Sequence, residues 1–260
     1  MQKIATQINL LGQFCGRRDL TELSQAALRQ QYGYNQADVF VLFGGSILAG
    51  VTTLATAIRQ HVAKYYVIVG GYGHTTAALF QQAQKLYPEI NFTANNEAAL
   101  FAQLLKQRDH LTVDYLETAS TNCGNNVTNL LALLATKKIT YKSLILCQDA
   151  TMQLRMTATM RQHVAPDVEL INYAAYQVTV CADHNTLTYA QTPTGMWSVT
   201  KYTTLLLGEI SRLADTATGY GPAGKNYLVH VTVPPKVITA AQALQTNFDT
   251  RQANPRFSGA

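Results

Sequence analysis

The sequence predicts an α/β fold in which helices cover both faces of a mainly parallel sheet. Residues 39–45 and 65–71 are apolar runs that each end in two glycines. Unbroken runs of this kind are typical of strands that are buried on both faces. Between them, apolar residues recur at helical spacing, so the segment is predicted to form a strand, a helix and a second strand.

The same alternation continues along the chain and predicts a three-layer sandwich with about five strands. Further strands are predicted at residues 111–117 and 143–149 and near residues 168–173. The helix that follows the second strand is predicted to end before Pro88, because the residue preceding a proline avoids helical geometry. Another helix is predicted to begin near Asn96, and helical patterns also follow the third and fourth strands.

The chain is divided into three regions around one core. Residues 1–36 are predicted to be an N-terminal helical segment that packs on this core, and residues 37–179 are predicted to form the α/β domain. Residues 180–260 are predicted to be a mostly helical elaboration, with helices from Trp197 and from near Pro235.

Two parts of this elaboration are predicted to lack helix. Residues 219–235 combine a glycine and proline turn with one more strand-like apolar run. Residues 251–260 are predicted to be a frayed end.

Composition and charge limit the classes of function. Charged residues make up 13% of the chain, against roughly a quarter in typical globular proteins, so long disordered segments are not expected. The net charge of +5 is spread along the sequence without runs, which argues against a nucleic-acid partner. We therefore expect a small-molecule ligand as the partner, and the oligomeric state stays open.

The N-terminus and the cysteines predict a cytoplasmic protein without a structural metal. The apolar stretch near the N-terminus is too short for a membrane span and lacks a cleavage pattern. The four cysteines form no C-x-x-C pair, which favours buried, reduced thiols over a zinc site or disulfides.

Glycines and polar residues follow four of the predicted strands. In open α/β sheets, ligands bind outside the carboxyl ends of the strands, where helix N-termini direct free amides at anions. We therefore predict that four loops form one crevice there. The loop residues predicted to bind a ligand are Gly44, Gly45, Gly71, Gly73, Ser120, Thr121, Asn122 and Asn126.

Several of these residues have two possible roles. Glycines after a strand serve either a tight turn or the close approach of a ligand. The glycine loop after the second predicted strand is not a complete G-x-G-x-x-G motif, because Thr76 stands at the position of the third glycine. It is not a P-loop either. One of Ser120, Thr121 and Asn122 is predicted to cap the next helix, which is compatible with binding. Cys123 is more consistent with a packing thiol than with a nucleophile.

Ionisable side chains provide the candidates for chemistry. His74 is a candidate acid or base in the glycine loop, although a lone histidine is more often structural. Arg155 and Arg161 lie nearly opposite each other on one predicted helix, and Arg155, nearer the helix start, is the predicted anion clamp. Glu97 either complements the dipole of its helix or faces the crevice. Glu97, His74 and Asp149 are the predicted catalytic residues.

Several motifs together resemble a known family. In order they are "FGG", "VGGYGHTT", the Glu97-Ala98 pair, "STNCGNN", "CQDATMQLRM" and "GYGPAGKNYLVHV". This order is similar to that of a bacterial family of unknown function that contains SanA, ElyC and YdcF. The resemblance covers nearly the whole chain including its tail, which favours the YdcF branch. It implies a Rossmann-like α/β sandwich.

The common signature of this family is a Glu-Ala pair followed by Ser-x-Asn-Thr-x-Glu-Asn. Two positions of this sequence depart from it, since Cys123 replaces the threonine and Asn125 replaces the glutamate. An obligatory carboxylate at position 125 is therefore not expected, and Glu97 and Asp149 remain the acidic candidates. The matching positions are Glu97, Ser120, Asn122 and Asn126.

The resemblance also implies a ligand. YdcF-like proteins are described as binding S-adenosylmethionine, and the glycine loops suit an adenosyl ligand, although no acidic residue follows the second strand to hold a ribose diol. We therefore expect a protein that binds a nucleotide-like or adenosyl ligand, with S-adenosylmethionine as the candidate cofactor. The alternative is a hydrolase or transferase acting on a phosphorylated cell-envelope precursor, as the membrane-bound relatives imply.

Overall fold

The computed structural model describes residues 1–73 and 75–251, and a five-stranded sheet lies at its centre. Its strands are β1 (Ala37–Phe43), β2 (Ala63–Val69), β3 (Tyr115–Glu117), β4 (Ser143–Cys147) and β5 (Glu169–Asn172). All neighbouring strands pair in parallel, in the order β3-β2-β1-β4-β5. The predicted Rossmann-like α/β fold is therefore confirmed.

Helices flank this sheet and also lie in both end regions of the described chain, although residues 180–251 contain helices of only 15 and 10 residues, so this region is not mostly helical as the sequence predicts. They are α1 (Gln2–Cys15), α2 (Gln25–Tyr32), α3 (Ala49–Arg59), α4 (Thr76–Leu86), α5 (Glu97–Asp109), α6 (Cys123–Thr136), α7 (Gln153–His163), α8 (Val199–Leu213) and α9 (Pro235–Leu244). α4 ends at Leu86, and Tyr87, which precedes Pro88, lies outside the helix. This agrees with the prediction that the helix ends before the proline.

Apolar residues on both faces of the strands form the two halves of the core. Val39 and Val41 of β1 pack in a cluster with α6 and α7, whereas Phe40 and Leu42 point to the other face and join a cluster with α1, α3, α5 and α8. This alternation is the two-residue period of a strand. Because neither face is exposed to solvent, β1 reads as an unbroken apolar run in the sequence.

The strand order creates a switch point beside β1. The chain passes from β1 to β2 and β3 on one side of the sheet and then returns to build β4 and β5 on the other side. The loops that follow β1 and β4 therefore lead to opposite faces of the sheet. A crevice opens at such a point at the carboxyl ends of the strands.

The C-terminal region differs from the prediction at two places. Residues 219–235 contain no strand, because the amides of Tyr227 and Leu228 donate to the carbonyl of Tyr220 and the amide of Val229 donates to that of Ala158, which leaves no strand ladder. An antiparallel hairpin was not predicted. Its strands are β6 (Val180–Asp183) and β7 (Thr186–Tyr189), joined by a turn in which His184 takes a left-handed backbone.

The N-terminal helix joins the two ends of the chain. α1 packs against α8, α9 and β6. Its buried positions include Ile8 and Leu11, as the helical spacing predicts. No helix within the described residues is long and apolar enough to cross a bilayer. The predicted frayed end lies outside the described residues from position 252 onward.

Candidate functional site

A cleft of about 450 Å³ lies at the carboxyl ends of the strands. It is lined by the loops after β1, β2 and β3 and by α7. Every residue predicted to hold a ligand lines this cleft, and so does Glu97. His74 lies outside the described residues. The volume is within the range of about 300–1,000 Å³ that is typical of small-molecule sites.

Position 71 requires a glycine because the loops after β2 and β3 approach each other closely there. A Cβ atom at this position would lie 2.8 Å from both the amide nitrogen of Ser120 and the carbonyl oxygen of Thr118. The Gly71 amide donates to Ser120 Oγ at 3.1 Å, and its carbonyl accepts from the Glu97 amide. Gly71 thus joins the loop after β2 to the loop after β3 and to the start of α5.

Gly73 of the same loop has room for a methyl group beside it. Its Cβ atom would meet nothing closer than the carbonyl oxygen of Thr121 at 3.6 Å. The two glycines of one loop therefore serve the two roles that the sequence left open. Gly71 serves loop packing, whereas Gly73 leaves the backbone accessible from the cleft.

We expect Gly71→Ala to lower the free energy of unfolding by roughly 1–3 kcal/mol or more, because its methyl group would press on backbone atoms that cannot rotate away. Gly73→Ala is the matched control, and we expect it to change stability by less than about 1 kcal/mol. Urea unfolding of both variants measures the difference. Equal stability of the two variants would contradict the close packing of the loops.

Glu97 is a buried carboxyl group that faces the cleft. It is the first residue of α5, whose N-cap is Asn96, and only 9% of it is exposed. Thr76 Oγ1 donates to Glu97 Oε1 at 2.6 Å and in turn accepts from the Gly73 amide at 2.8 Å. Burial raises the pKa of Glu97 to about 7, and the hydrogen bond from Thr76 opposes this rise. A group with this pKa is suited to acid or base chemistry near neutral pH.

Arg155 is held at the cleft by a buried carboxylate that the sequence did not reveal. The Arg155 guanidinium makes two contacts with Glu209 of α8, through Nε and through Nη2, the latter at 3.1 Å. Arg212 Nη1 lies 3.3 Å from the same carboxylate. Burial alone would raise the pKa of Glu209, but the two guanidinium groups hold it below its ordinary value. One ionised carboxylate thus positions two arginines that line the cleft.

Arg161, the second arginine of α7, has a different role. Its guanidinium donates to the carbonyls of Ala165, Pro166 and Val168. It does not line the cleft. The structure therefore agrees with the helical-angle argument that Arg155 alone of this pair faces the crevice.

The start of α6 forms another part of the cleft. Asn122 is its N-cap, and its side chain accepts from the Asn125 amide at 2.9 Å. Asn125, which replaces the glutamate of the family signature, accepts through its side-chain oxygen from Thr121 and Asn122. Cys123 is partly exposed in the cleft and lies against the Arg155 guanidinium.

Asp149 lies beneath the cleft and does not line it. Of the residues between β4 and α7 only Met152 does, so the prediction that this fourth loop helps to form the crevice holds for its last residue alone. Its carboxylate accepts from the amide and hydroxyl of Thr151 and from the hydroxyl of Tyr176, at 2.9, 2.8 and 2.8 Å. Burial raises its pKa, while these hydrogen bonds oppose the rise. These contacts give Asp149 a role in holding the loop after β4, away from the place where a ligand would sit.

The remaining wall of the cleft comes from the C-terminal region, which sequence reasoning did not assign to the site. Tyr220, Lys225 and Tyr227 follow α8, and Arg251 lies near the end of the described chain. The glycine, lysine and tyrosine residues of "GYGPAGKNY" were a usable signal for a binding loop, but their place in the fold was not. Of the described residues lining the cleft, Glu97 supplies the carboxyl group, whereas the permanent positive charges are Arg155, Arg212, Lys225 and Arg251.

Comparison with models of protein families adds no assignment. No protein-family model matches the sequence. The described residues contain no group of three or more histidine, cysteine, aspartate or glutamate side chains that could hold a metal ion. The resemblance to the SanA, ElyC and YdcF family therefore rests on the motifs quoted above.

Proposed function

We propose that this protein binds an anionic, nucleotide-like small molecule in the cleft, with the anionic group on Arg155 and at the start of α6. The observation that carries this proposal is the arrangement of Arg155. Its guanidinium is fixed by Glu209, and it still borders the cleft. A guanidinium that is already oriented loses little freedom when it binds a phosphate or carboxylate.

Charge supports an anion as the ligand. Arg155, Arg212, Lys225 and Arg251 border the cleft, and the ionised Glu209 that pairs with Arg155 and Arg212 offsets one of these four charges. Glu97 has a pKa of about 7 and is only partly ionised near neutral pH. Cationic groups around a cleft with low-dielectric walls raise the local concentration of anions.

The start of α6 supplies further donors. The amides of Cys123 and Gly124 belong to the first turn of the helix, where no earlier turn provides carbonyl partners. Free amides and the helix dipole favour an anion at this position. Because Cys123 lies against Arg155, both features act on the same part of the cleft.

S-adenosylmethionine is the second candidate ligand. Arg155 suits its carboxylate, and the open backbone at Gly73 suits close contact with an adenosyl group. Its sulfonium carries a positive charge, however, and the cleft is bordered by four permanent positive charges. We therefore expect S-adenosylmethionine to bind more weakly than a phosphate-bearing nucleotide.

Isothermal titration calorimetry tests the proposal with ADP, inorganic pyrophosphate, S-adenosylmethionine and S-adenosylhomocysteine. We expect ADP and pyrophosphate to bind, and Arg155→Lys to weaken both by about 10-fold or more, because lysine lacks the planar fork. Arg161→Lys is the control on the same helix and leaves binding unchanged. If neither ADP nor pyrophosphate binds at millimolar concentration, the proposal is overturned. If S-adenosylmethionine binds more tightly than ADP, the expected order of affinities is wrong.

Glu97 favours a second candidate function, hydrolysis or transfer of a phosphate ester such as a phosphorylated cell-envelope precursor. With a pKa of about 7, the protonated carboxyl group can donate its proton to a leaving oxygen while water or another acceptor attacks phosphorus. In that case, we expect Glu97→Gln to lower phosphate release by about 10²–10⁴-fold while ADP still binds. Unchanged turnover in this variant would remove Glu97 from the reaction.

A further inference from the structure

The last wall of the cleft is aromatic and comes from a single loop. We call residues 214–230 the rim loop. Tyr220, Lys225 and Tyr227 of this loop line the cleft, and 45% of Tyr227 is exposed. Arg155 and the start of α6 line the same cleft. The cleft thus combines cationic side chains with aromatic ones.

The aromatic side chains of the rim loop are held in place. The rings of Tyr220 and Tyr227 meet edge to face, with centroids 5.4 Å apart. Lys225 Nζ lies 5.3 Å and Arg212 Cζ 5.8 Å from the centre of the Tyr220 ring. Cations at these distances are attracted to an aromatic ring. Tyr220 therefore supports Tyr227 from one side and connects it to the arginines of the cleft.

The backbone of the rim loop is also constrained. The amides of Lys225 and Asn226 donate to the carbonyls of Gly219 and Gly221, and the Tyr227 amide donates to the carbonyl of Tyr220. Asn226 has a φ of 53°, in the left-handed region that a residue with a side chain rarely adopts. Gln162 of α7 donates to the Asn226 carbonyl at 3.0 Å. These contacts hold the backbone around Tyr227 in a position that places its ring at the cleft.

We propose that Tyr227 is a stacking surface by which the cleft selects nucleoside phosphates over phosphorylated sugars that lack a base. This inference rests on the proposed function, since it needs the phosphate to be held at Arg155. An exposed tyrosine held in advance provides a flat surface for a base, and every base offers a π-face to such a surface. A phosphorylated sugar has no ring of this kind and gains nothing from Tyr227.

Calorimetry with ribose 5-phosphate and with AMP, GMP, CMP and UMP tests this inference, because these nucleotides differ from ribose 5-phosphate by their base. We expect at least one nucleotide to bind about 5- to 150-fold more tightly than ribose 5-phosphate. In Tyr227→Ala this ratio should fall to below about 3-fold, whereas Tyr227→Phe should retain it because stacking does not need the hydroxyl. Thermal unfolding of both variants establishes that they are folded.

The possible failures are distinguishable. If ribose 5-phosphate binds as tightly as every nucleotide, the role of Tyr227 is overturned and the proposed function is unaffected. Equal weakening of AMP and ribose 5-phosphate in Tyr227→Ala also overturns it, because the side chain would then act on the phosphate or on the loop. If neither ribose 5-phosphate nor any of these nucleotides binds, the role of Tyr227 is overturned when ADP and pyrophosphate still bind, and the proposed function is overturned when they do not.

Discussion

Replacing Glu209 by leucine is expected to lower the free energy of unfolding by about 3–5 kcal/mol, because it leaves two buried guanidinium groups without their carboxylate. Glu209 is fully buried, and Arg155 and Arg212 are each about nine-tenths buried. Neither arginine can lose its proton to escape the cost of an unpaired buried charge. Unfolding by the denaturant guanidinium chloride at neutral pH measures the effect. An unchanged m-value would show that the variant still unfolds as a single unit.

An exposed ion pair is the natural comparison. Lys142 and Asp167 also lie in contact, but their side chains are 78% and 63% exposed. Asp167→Ala should therefore leave stability nearly unchanged, because solvent screens an exposed ion pair. Arg155→Met combined with Glu209→Leu should recover part of the loss, because it removes one of the unpaired charges together with the carboxylate. If Glu209→Leu were as mild as Asp167→Ala, the buried ion pair would be wrong.

Glu97→Gln is expected to be more stable than the wild type above about pH 4.5. The difference in the free energy of unfolding grows up to about pH 7, where it reaches roughly 3 kcal/mol. Burial raises the pKa of Glu97 from 4.5 to about 7, so the folded state holds a proton that the unfolded state releases. The stability from this proton is fully present below the unfolded pKa and is lost as the pH rises through the folded pKa. Glutamine stays neutral and loses nothing over this range.

Urea unfolding of the wild type and Glu97→Gln across this pH range gives the two curves. They should meet near pH 4.5 and separate as pH increases, about 1.4 kcal/mol for each pH unit between the two pKa values. Glu89→Gln is the matched control at an exposed glutamate, and its curve should run parallel to that of the wild type. Curves for Glu97→Gln and the wild type that stay parallel up to about pH 8 would contradict the raised pKa.

The order of strands and helices could be predicted because each element carries its own pattern. β1 and β2 are buried on both faces, so their composition alone marks them. The hairpin of β6 and β7 is short and only partly buried, and its residues lack this signal. The strand-like run after Tyr227 has strand composition, but its amides find partners in the loop and in α7. A segment with the composition of a strand forms one only where a neighbouring strand is free to pair with it.

The candidate site was predictable to a similar extent. Residues at the ends of parallel strands meet because the topology brings those ends to one edge, so Gly71, Ser120 and Arg155 could be grouped from the sequence. Glu209 and Tyr227 could not, because they reach the cleft through the packing of α8 and the loop after it. No local pattern states where a helix outside the strand–helix alternation will pack.

Glu209 has a consequence for how this chain can be divided. The carboxylate that orients Arg155 belongs to α8, which lies beyond the α/β domain in the sequence. Residues 37–179 alone would therefore carry Arg155 without the carboxylate that pairs with it. The C-terminal region, which looks like an appendage in the sequence, is thus bound to the α/β domain through a buried ion pair.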